Sequence, residues 1–395
     1  MSDFLSGDKG TPTAHNAADG GAQARTSTDS LNLTYGVARN ANEFRNITSN
    51  KQKITAAASA AQISTVFVQE LNVPAMCQIV YEVDEHWSKD DFAQFKPGAK
   101  LEISDGGASE SESTALPPVY VCGMTLEASA EAGGRSTLTV TAFDKMHFLR
   151  FGAYTKPFVQ QDDSSIFESL LLSLEGLTLS AIGLKGGKYP YVLQDNESAY
   201  DFLLRRCREA NYEYMIAVVG GTEKLIVRSS NQGQSPGENS VLVFKQDVEA
   251  ITLDMRVPTR GSAVRSWGYD IKGGDSVMGD NDSDSARDKM KGGQTGFAAA
   301  AEGFLASPMT LRRPDLNDKD TLDYIAAAAR TQQQDVFIEG SATLRQLNFR
   351  AAAGVNIELK GMNALFDGWY YIVKSTHQRN RRGDRTIVNL RRSGI

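Results

Sequence analysis

The sequence predicts a mainly β, multidomain protein in which two similar β-barrels of the tube type bracket an α+β insert. Apolar residues alternate with polar ones from about Ile63 to Phe143, follow helical spacing between 160 and 210, and alternate again after Gly237. The chain has 395 residues, enough for about two to three folded units. Hydrophobic residues make up 41% and charged residues 23%, which is ordinary for a folded globular chain.

The first part of the chain reads as a β-meander. Alternating apolar residues run from Val66 to Val83, and a Pro97-Gly98 turn leads into a short strand over 100–104. Two further strands cover 119–127 and 136–143, where Leu138 and Val140 alternate with threonines. We therefore predict hairpins with one buried face.

The middle of the chain combines helical spacing of its apolar residues with short strands. Ser164 or Ser165 can cap a helix that Gly176 stops, and Asn196 or Ser198 can cap a second helix ending near Ala210. Strands over 212–219 and 224–227 then form a hairpin across two glycines. This pattern predicts a small α+β module.

The last part returns to strands. We predict strands over 241–244, 248–256 and 263–270, a helix over 320–334, and four final strands between 339 and 391. Between them, 273–319 is rich in Gly, Asp and Ser and is predicted to be a long loop, an excursion from the second β domain. The predicted domains are an arm (1–44), a first barrel (45–157), the insert (158–232) and a second barrel (233–395).

Two parts of the chain repeat a pattern. Gly98, Leu101-Glu102-Ile103, Val119-Tyr120-Val121 and Gly134 correspond to Gly354, Ile357-Glu358-Leu359, Trp369-Tyr370-Tyr371-Ile372 and Gly383. In the strand that follows, the second copy falls one residue out of step, with Leu390 in the place of Val140. Turn glycines shared by any two meanders are the alternative explanation. If the repeat is real, three copies of the chain would present six similar surfaces, a pseudo-sixfold ring with threefold symmetry.

Composition excludes several classes of protein. The net charge of −6 and the pI near 5.4 do not favour a general nucleic-acid binder. Three widely spaced cysteines, Cys77, Cys122 and Cys207, form neither a disulfide framework nor a zinc ribbon. The amino terminus lacks a secretory leader, and no stretch of about 20 apolar residues predicts a membrane span. We expect synthesis in a reducing compartment.

No catalytic, cofactor-binding or metal-binding residue emerges from the motifs. Gly186-Gly187-Lys188 lacks the leading glycine and the Ser or Thr of a phosphate loop, and Asp280 to Asp284 lacks the glycine and bidentate glutamate of a calcium loop. His86 beside Asp84 and Glu85 is better explained as a strand end than as a metal site. No G-x-S-x-G elbow occurs, although carboxylates for glycoside hydrolysis are available. We expect no enzyme and no cofactor.

From about residue 45 onward the chain resembles the baseplate hub family of contractile tails, called phage late control protein D or VgrG-like hubs. The most specific resemblance is Gln194-Asp195-Asn196-Glu197-Ser198-Ala199-Tyr200-Asp201-Phe202-Leu203-Leu204-Arg205-Arg206 before Asn211-Tyr212-Glu213-Tyr214, in the family's order of a Leu- and Arg-bearing helix and an aromatic strand. The carboxy-terminal Ala353 to Gly361 and Phe366 to Ile372 resemble its glycine-led strand and aromatic hairpin.

This resemblance implies a structural role. It implies a homotrimeric ring that adapts a hexameric tail tube to a trimeric spike in a phage or phage-tail-like injection particle, made in the bacterial cytoplasm. Longer members continue into a spike, whereas this sequence stops at Ile395, so a separate spike protein and other baseplate proteins are the expected partners. Neither specific nucleic acid nor a membrane is expected as a partner. The alternatives are a tail-associated cell-wall hydrolase and an unrelated β-rich binding protein.

One basic cluster stands out as a candidate interface. Four arginines, Arg379, Arg381, Arg382 and Arg385, surround the single acid Asp384 at a predicted hairpin tip. A hydrated turn explains such a cluster as well as a docking tip for an acidic tube or spike surface does. The cluster is therefore a candidate for charge-steered docking.

Overall fold

The computed structural model of the chain describes residues 46–104, 115–129, 135–237, 240–301, 303, 306–380 and 383–395. The first part contains β1 (Asn46–Ser49), β2 (Gln52–Lys53), α1 (Ala56–Ala61), β3 (Gln62–Glu70), β4 (Val73–Val83), α2 (Lys89–Ala93), β5 (Lys100–Ser104), β6 (Val119–Glu127) and β7 (Ser136–Phe143). A 3₁₀ helix, Lys145–Arg150, connects this part to the insert.

The insert and the last part complete the chain. The insert contains β8 (Tyr154–Gln161), α3 (Asp163–Leu171), β9 (Thr178–Ile182), β10 (Tyr189–Glu197), α4 (Ala199–Ala210), β11 (Tyr212–Val219) and β12 (Thr222–Ser229). The last part contains β13 (Val241–Val243), β14 (Val248–Met255), β15 (Arg260–Asp270), β16 (Asp275–Asn281), α5 (Gly296–Ala301), β17 (Ser307–Arg312), α6 (Lys319–Asp335), β18 (Ile338–Leu344), β19 (Asn356–Lys360), β20 (Gly368–Asn380) and β21 (Gly383–Arg392).

The alternation in the sequence places one face of each main strand in a core. In β7, Leu138, Val140 and Ala142 are at most 2% exposed, whereas the residues between them face the opposite side of the sheet. The same alternation buries Tyr370 and Ile372 in β20. The aromatic run 369–371 is typical of a core strand, and Tyr370 and Tyr371 are indeed fully buried.

The helices begin where short polar side chains can accept backbone hydrogen bonds. Ser198, one of two predicted caps, accepts from the N–H of Asp201 at the start of α4. The cap of α3 is Asp162 rather than the predicted Ser164 or Ser165, because its carboxylate accepts from the N–H of Ser165 at 2.8 Å. Serines inside the first turn cannot cap it.

The mainly β class is confirmed, but the two predicted barrels do not close separately among the described residues. Their strands join one 13-stranded sheet, in which β14-β18-β21-β20 and β3-β4-β7-β6 are consecutive. Each neighbouring pair along these eight strands is antiparallel. The two halves meet where β20 pairs with β3. The edge strands of the two halves thereby satisfy each other's backbone N–H and C=O groups, and neither half needs to close on itself.

The segment 273–319 is not the long loop that its composition predicted. It contributes β16 and β17, which flank β15 in a separate three-stranded sheet against which α6 packs. Glycine permits this packing. A Cβ on Gly279 would lie 2.3 Å from the backbone nitrogen of Asp323 in α6, and one on Gly268 would lie 2.1 Å from the carbonyl oxygen of Leu316. Gly279, a glycine that reads as a loop signal, is therefore a contact position between a strand and a helix.

The internal repeat is confirmed by equivalent backbone geometry. The N–H of Gly98 donates to the carbonyl oxygen of Val121 at 2.8 Å, and the N–H of Gly354 donates to that of Ile372 at 2.8 Å. Both glycines have left-handed backbone angles, φ +90° and +87°. Strands β6 and β20 each bulge directly after this contact. The two halves of the eight-stranded sheet therefore share strand order, direction and irregularities.

The structure corrects one detail of the repeat. Just after the bulges, Thr141 of β7 and Asn389 of β21 occupy equivalent positions, opposite β6 and β20 respectively. This register aligns Val140 with Val388 rather than with Leu390. Both valines are fully buried, so the two strands align without the one-residue offset read from the sequence.

Candidate assembly surfaces

The eight-stranded sheet has two edges that are open among the described residues. Strand β6 pairs with β5 only through Val119 and Tyr120, so the Gly123–Glu127 half pairs with β7 alone. Strand β14 pairs with β18 and otherwise makes a single bridge between Phe244 and Val248. Unpaired strand edges are templates for pairing with another chain.

Apolar side chains lie beside both edges on the core side of the sheet. Met124 and Leu126 of β6 are 38% and 55% exposed although their partners in β7, Val140 and Leu138, are buried. On β14, three half-buried side chains pack against the core of the second repeat: Ile251, Leu253 and Met255. The edges are therefore incompletely covered at matching positions.

The face of the sheet opposite the core is lined mainly by small polar and uncharged side chains. The pairing registers place one residue from each strand side by side along this face. Most of its hydroxyl and amide groups come from Ser64, Gln78, Thr125, Thr137, Thr139, Thr141, Thr252, Ser341, Thr343, Thr376, Gln378 and Asn389. The same face also carries acids, among them Glu82, Glu127, Asp254 and Glu339, and the cation Lys374, so it combines hydrogen-bonding groups with charge.

The predicted arginine tip lies at one end of this sheet. Arg379 lies near the end of β20, with its Nε 3.9 Å from Asp384, and Arg385 lies in β21 opposite Gln378. Arg381 and Arg382 fall outside the described residues. The candidate role of the cluster in docking stays a prediction.

A large groove opens beside the end of β6. Its volume is about 1180 Å³, and its lining includes the α1 alanines, Trp87 and the exposed Leu126. Asp84 and Glu85 at its rim make no ion pair with any described residue; Asp84 only accepts the N–H of His86, at 2.9 Å. Arg135, which also lines the groove, is 3.0 Å from Glu82. The sequence had singled out Asp84 to His86 only as a rejected metal site.

A buried polar cluster fixes the insert to the last two strands of the chain. Glu213 of β11 accepts hydrogen bonds from the hydroxyl groups of Tyr371 and Ser230 and pairs with Arg391 at 3.0 Å. Burial alone would raise the pKa of Glu213, but Arg391 and Arg228 outweigh it and hold the pKa below its ordinary value. The insert is therefore anchored on a charged carboxylate. The resemblance had pointed to the Glu213 strand but not to its arginine partners.

Asp335, at the end of α6, borders the same cluster. Its carboxylate is 3.7 Å from Arg391 and 3.9 Å from Arg287, and neither oxygen accepts a hydrogen bond from a described residue. Burial is the main cause that raises its pKa to about 6. The carboxylate of Asp335 therefore takes up a proton at a higher pH than an ordinary aspartate does.

Other titratable side chains in the described part of the chain converge in internal ion pairs, such as Arg206 with Asp163 at 2.7 Å and Lys100 with Glu223 at 3.2 Å. No group of three or more His, Cys, Asp or Glu side chains there could hold a metal ion. Cys77 and Cys207 are buried, and burial raises the pKa of both thiols, whereas Cys122 is exposed at the start of the β6 edge. Among these residues no helix is long and apolar enough to cross a membrane. The surfaces with unsatisfied binding capacity are the strand edges and the groove.

Comparison with solved structures defines the fold as that of phage-type tail proteins. The chain superposes on a 43 kDa tail protein of prophage MuSo2 from Shewanella oneidensis (TM-score 0.60, 11% identity, 88% of this chain and 97% of that chain). It superposes equally on a tail protein from Neisseria meningitidis MC58 (0.60, 12%, 88% and 96%). A third match is the c3393 protein of E. coli, a type VI secretion component similar to T4 tail proteins gp27 and gp5 (0.56, 10%, 87% and 76%).

Residues 44–380 match the model of the family described as the Alg8 N-terminal domain, and the chain belongs to that family. No curated protein matches the sequence closely enough to add a relative. The hub-like tail fold predicted from the sequence is thus confirmed, at identities that speak for the fold alone.

Proposed function

We propose that this chain is a structural component of a phage tail or phage-tail-like injection particle and forms its baseplate hub. Three copies make a ring that joins a hexameric tube to a trimeric spike, with the chain acting by assembly and not by catalysis. The hub-like tail fold supports the general role. The observation that carries the ring is the repeated, eight-stranded antiparallel sheet with open edges at β6 and β14.

The junction inside one chain is a template for the junction between copies. Repeat one runs β3-β4-β7-β6 and repeat two runs β14-β18-β21-β20, so β20 meets β3 within the chain just as β6 would meet β14 of the next copy. Eight alternating strands also place β6 and β14 in opposite directions. Pairing across copies is therefore antiparallel, like every other pair in the eight-stranded run.

The template also fixes the register. Within the chain, Thr376 of β20 lies opposite Val68 of β3. Thr125 is the position in β6 equivalent to Thr376, counted from the shared bulge, and Asp254 is the position in β14 equivalent to Val68. Thr125 of one copy should lie opposite Asp254 of the next, with Met124 and Leu126 against the apolar side of β14.

Three copies would close a barrel of 24 strands. With strands about 4.8 Å apart and tilted by about 35–45°, the backbone ring is about 45–50 Å across. The face opposite the core would line its passage with hydroxyl, amide and acidic groups. A wall of this kind suits cargo that must pass without adhering, and two repeats in each of three copies give the sixfold pattern that a hexameric tube needs.

Cysteine pairs test the ring directly. In a Cys122→Ser background, Thr125→Cys combined with Asp254→Cys should form a disulfide between copies, because Cβ atoms of opposed residues lie about 4.5–5.5 Å apart. Oxidation should give a covalently closed trimer on a non-reducing gel. Met124→Cys with Asp254→Cys is the matched control, since its thiols lie on opposite faces of the sheet.

The ring is wrong if the variant with Thr125→Cys and Asp254→Cys gives only monomer on the gel and sedimentation also shows monomer at high protein concentration. A second measurement concerns the role itself. The chain should co-sediment with tube and sheath proteins in particles from producing cells, at about three copies per particle end. Cell-wall digestion by the purified chain would favour the hydrolase alternative instead.

A further inference from the structure

Two cations lie next to the β14 edge, Lys245 in the loop between β13 and β14 and Arg345 in the loop after β18. Lys245 is exposed in a left-handed turn, φ +70°, and its N–H donates to the carbonyl oxygen of Val248 at 3.0 Å. Arg345, which follows β18, donates through Nε to the carbonyl oxygen of Lys245 at 3.2 Å. Neither side chain makes an ion pair with a described residue. Two unpaired cations therefore lie together on a fixed backbone, while the carboxylate of Asp247 in the same turn accepts the N–H of Val243 at 2.9 Å.

The groove beside β6 carries the opposite charge at the other edge of the sheet. Arg135 is already paired with Glu82, whereas Asp84 and Glu85 have no cation among the described residues. The floor of the groove includes Trp87, whose ring packs edge-on against Phe92 with centroids 5.2 Å apart. Two unpaired acids over a partly apolar lining match the two unpaired cations, Lys245 and Arg345, in sign.

The contact inside the chain shows how these two segments would meet. Leu347 and Phe349, in the loop after β18, pack in the first core together with Ala58 of α1, the helix that precedes β3. By the repeat, the loop after β4, Asp84 to Trp87, is equivalent to the loop after β18. The β13–β14 turn precedes β14 as α1 precedes β3. Continuing the pattern to the next copy sets Lys245 against Asp84 and Glu85.

We infer that Asp84 and Glu85 in the groove of one copy bind Lys245 and Arg345 of the next copy, so that the groove is the receiving half of the subunit interface. This inference rests on the proposed ring. It adds to strand pairing a charged contact that works in only one direction around the ring. A contact of this kind is heterologous, since each copy gives its turn to one neighbour and receives the turn of the other.

Charge reversal tests the contact in the full chain. Asp84→Lys with Glu85→Lys should weaken self-association about tenfold, because two exposed ion pairs are replaced by repulsion, and Lys245→Glu with Arg345→Glu should do the same. The variant with all four changes should recover association, since each pair is then restored with reversed sign. Glu168→Lys, an exposed change on α3, is the control and should leave association unchanged. Sedimentation equilibrium at low and high salt measures each variant.

The same variants carry the Thr125→Cys and Asp254→Cys pair, which separates two failures. The groove contact is wrong and the ring stands if the disulfide trimer forms but charge reversal leaves association unchanged. The same conclusion follows if charge reversal weakens association and the fourfold change does not restore it. If the parent gives no trimer by either measurement, the ring itself fails. Rescue with a reduced effect in high salt supports the contact, because salt screens exposed charges.

Discussion

Gly98 and Gly354 occupy the same turn of the two repeats, and substitution of each by alanine separates backbone strain from crowding. Their φ values, +90° and +87°, lie in the region that favours glycine. A Cβ on Gly98 meets nothing within 4 Å, whereas one on Gly354 would lie 2.8 Å from Nη2 of Arg228 and 2.8 Å from Cε of Met215. Alanine should therefore cost backbone free energy at both positions, and only at Gly354 should it also cost steric free energy.

The magnitudes follow from these surroundings. A left-handed backbone costs an alanine about 1–2 kcal/mol, so Gly98→Ala should destabilise the chain by that amount. At Gly354 the guanidinium of Arg228 must also move, although it donates to the carbonyl oxygen of Gly354 at 2.9 Å and to the hydroxyl of Tyr371 at 3.2 Å. Disturbing such buried hydrogen bonds adds about 1–2 kcal/mol, for a total of about 2–4 kcal/mol.

Urea unfolding followed by circular dichroism measures both free energies of unfolding. Arg228→Lys combined with Gly354→Ala is a useful further variant, because a less bulky head group should recover part of the extra cost. Equal losses at the two glycines would refute the reasoning about the junction with the insert. No loss at Gly98 would refute the argument from φ.

Two further predictions concern the anchoring of the insert. Burial raises the pKa of Asp335 to about 6, against an ordinary value near 3.8, so the folded state binds a proton that the unfolded state releases. Lowering the pH from 8 to 5 should therefore increase the free energy of unfolding by about 1.4 kcal/mol through this group alone. Asp335→Asn should lose that share of the pH dependence; parallel stability curves for variant and parent would contradict the assignment. Asn72, at φ +66°, accepts the N–H of Tyr214 through its side chain at 2.8 Å. Asn72→Ala should cost about 2–4 kcal/mol and Asn72→Gly about 1–2, because glycine relieves the backbone but not the lost acceptor; the reverse order in thermal unfolding would refute this reading.

The local patterns of the sequence predicted much of the architecture. Alternation located the main strands within a few residues, since one face of each strand had to be apolar, and the helix over 320–334 is α6, Lys319–Asp335. The family resemblance rested on α4 and the strand after it, and both are present as predicted. Turn glycines revealed the repeat because few other residues adopt their backbone angles.

Other features could not be predicted from local patterns. The segment 273–319 reads as a loop because its glycines look like turn signals, yet Gly279 serves close packing against Asp323, more than forty positions away. The aromatic Tyr371 is predictable as core, but its hydrogen bond to Glu213 depends on bringing β20 next to the insert. Arg381 and Arg382 lie outside the described residues, so the role of the arginine cluster in docking stays a prediction.

The sequence by itself determined the mainly β class, the internal repeat and the membership in a tail-type fold, because periodicity and turn residues are local properties of the chain. Only the tertiary structure decided that the two repeats join through β20 and β3 into one sheet and that, among the residues it describes, β6 and β14 have an open edge. Strand partners are chosen by long-range contacts whose free energies sum over whole faces, and no short stretch of residues contains that sum. The open edges, and the charged groove beside one of them, follow from that choice.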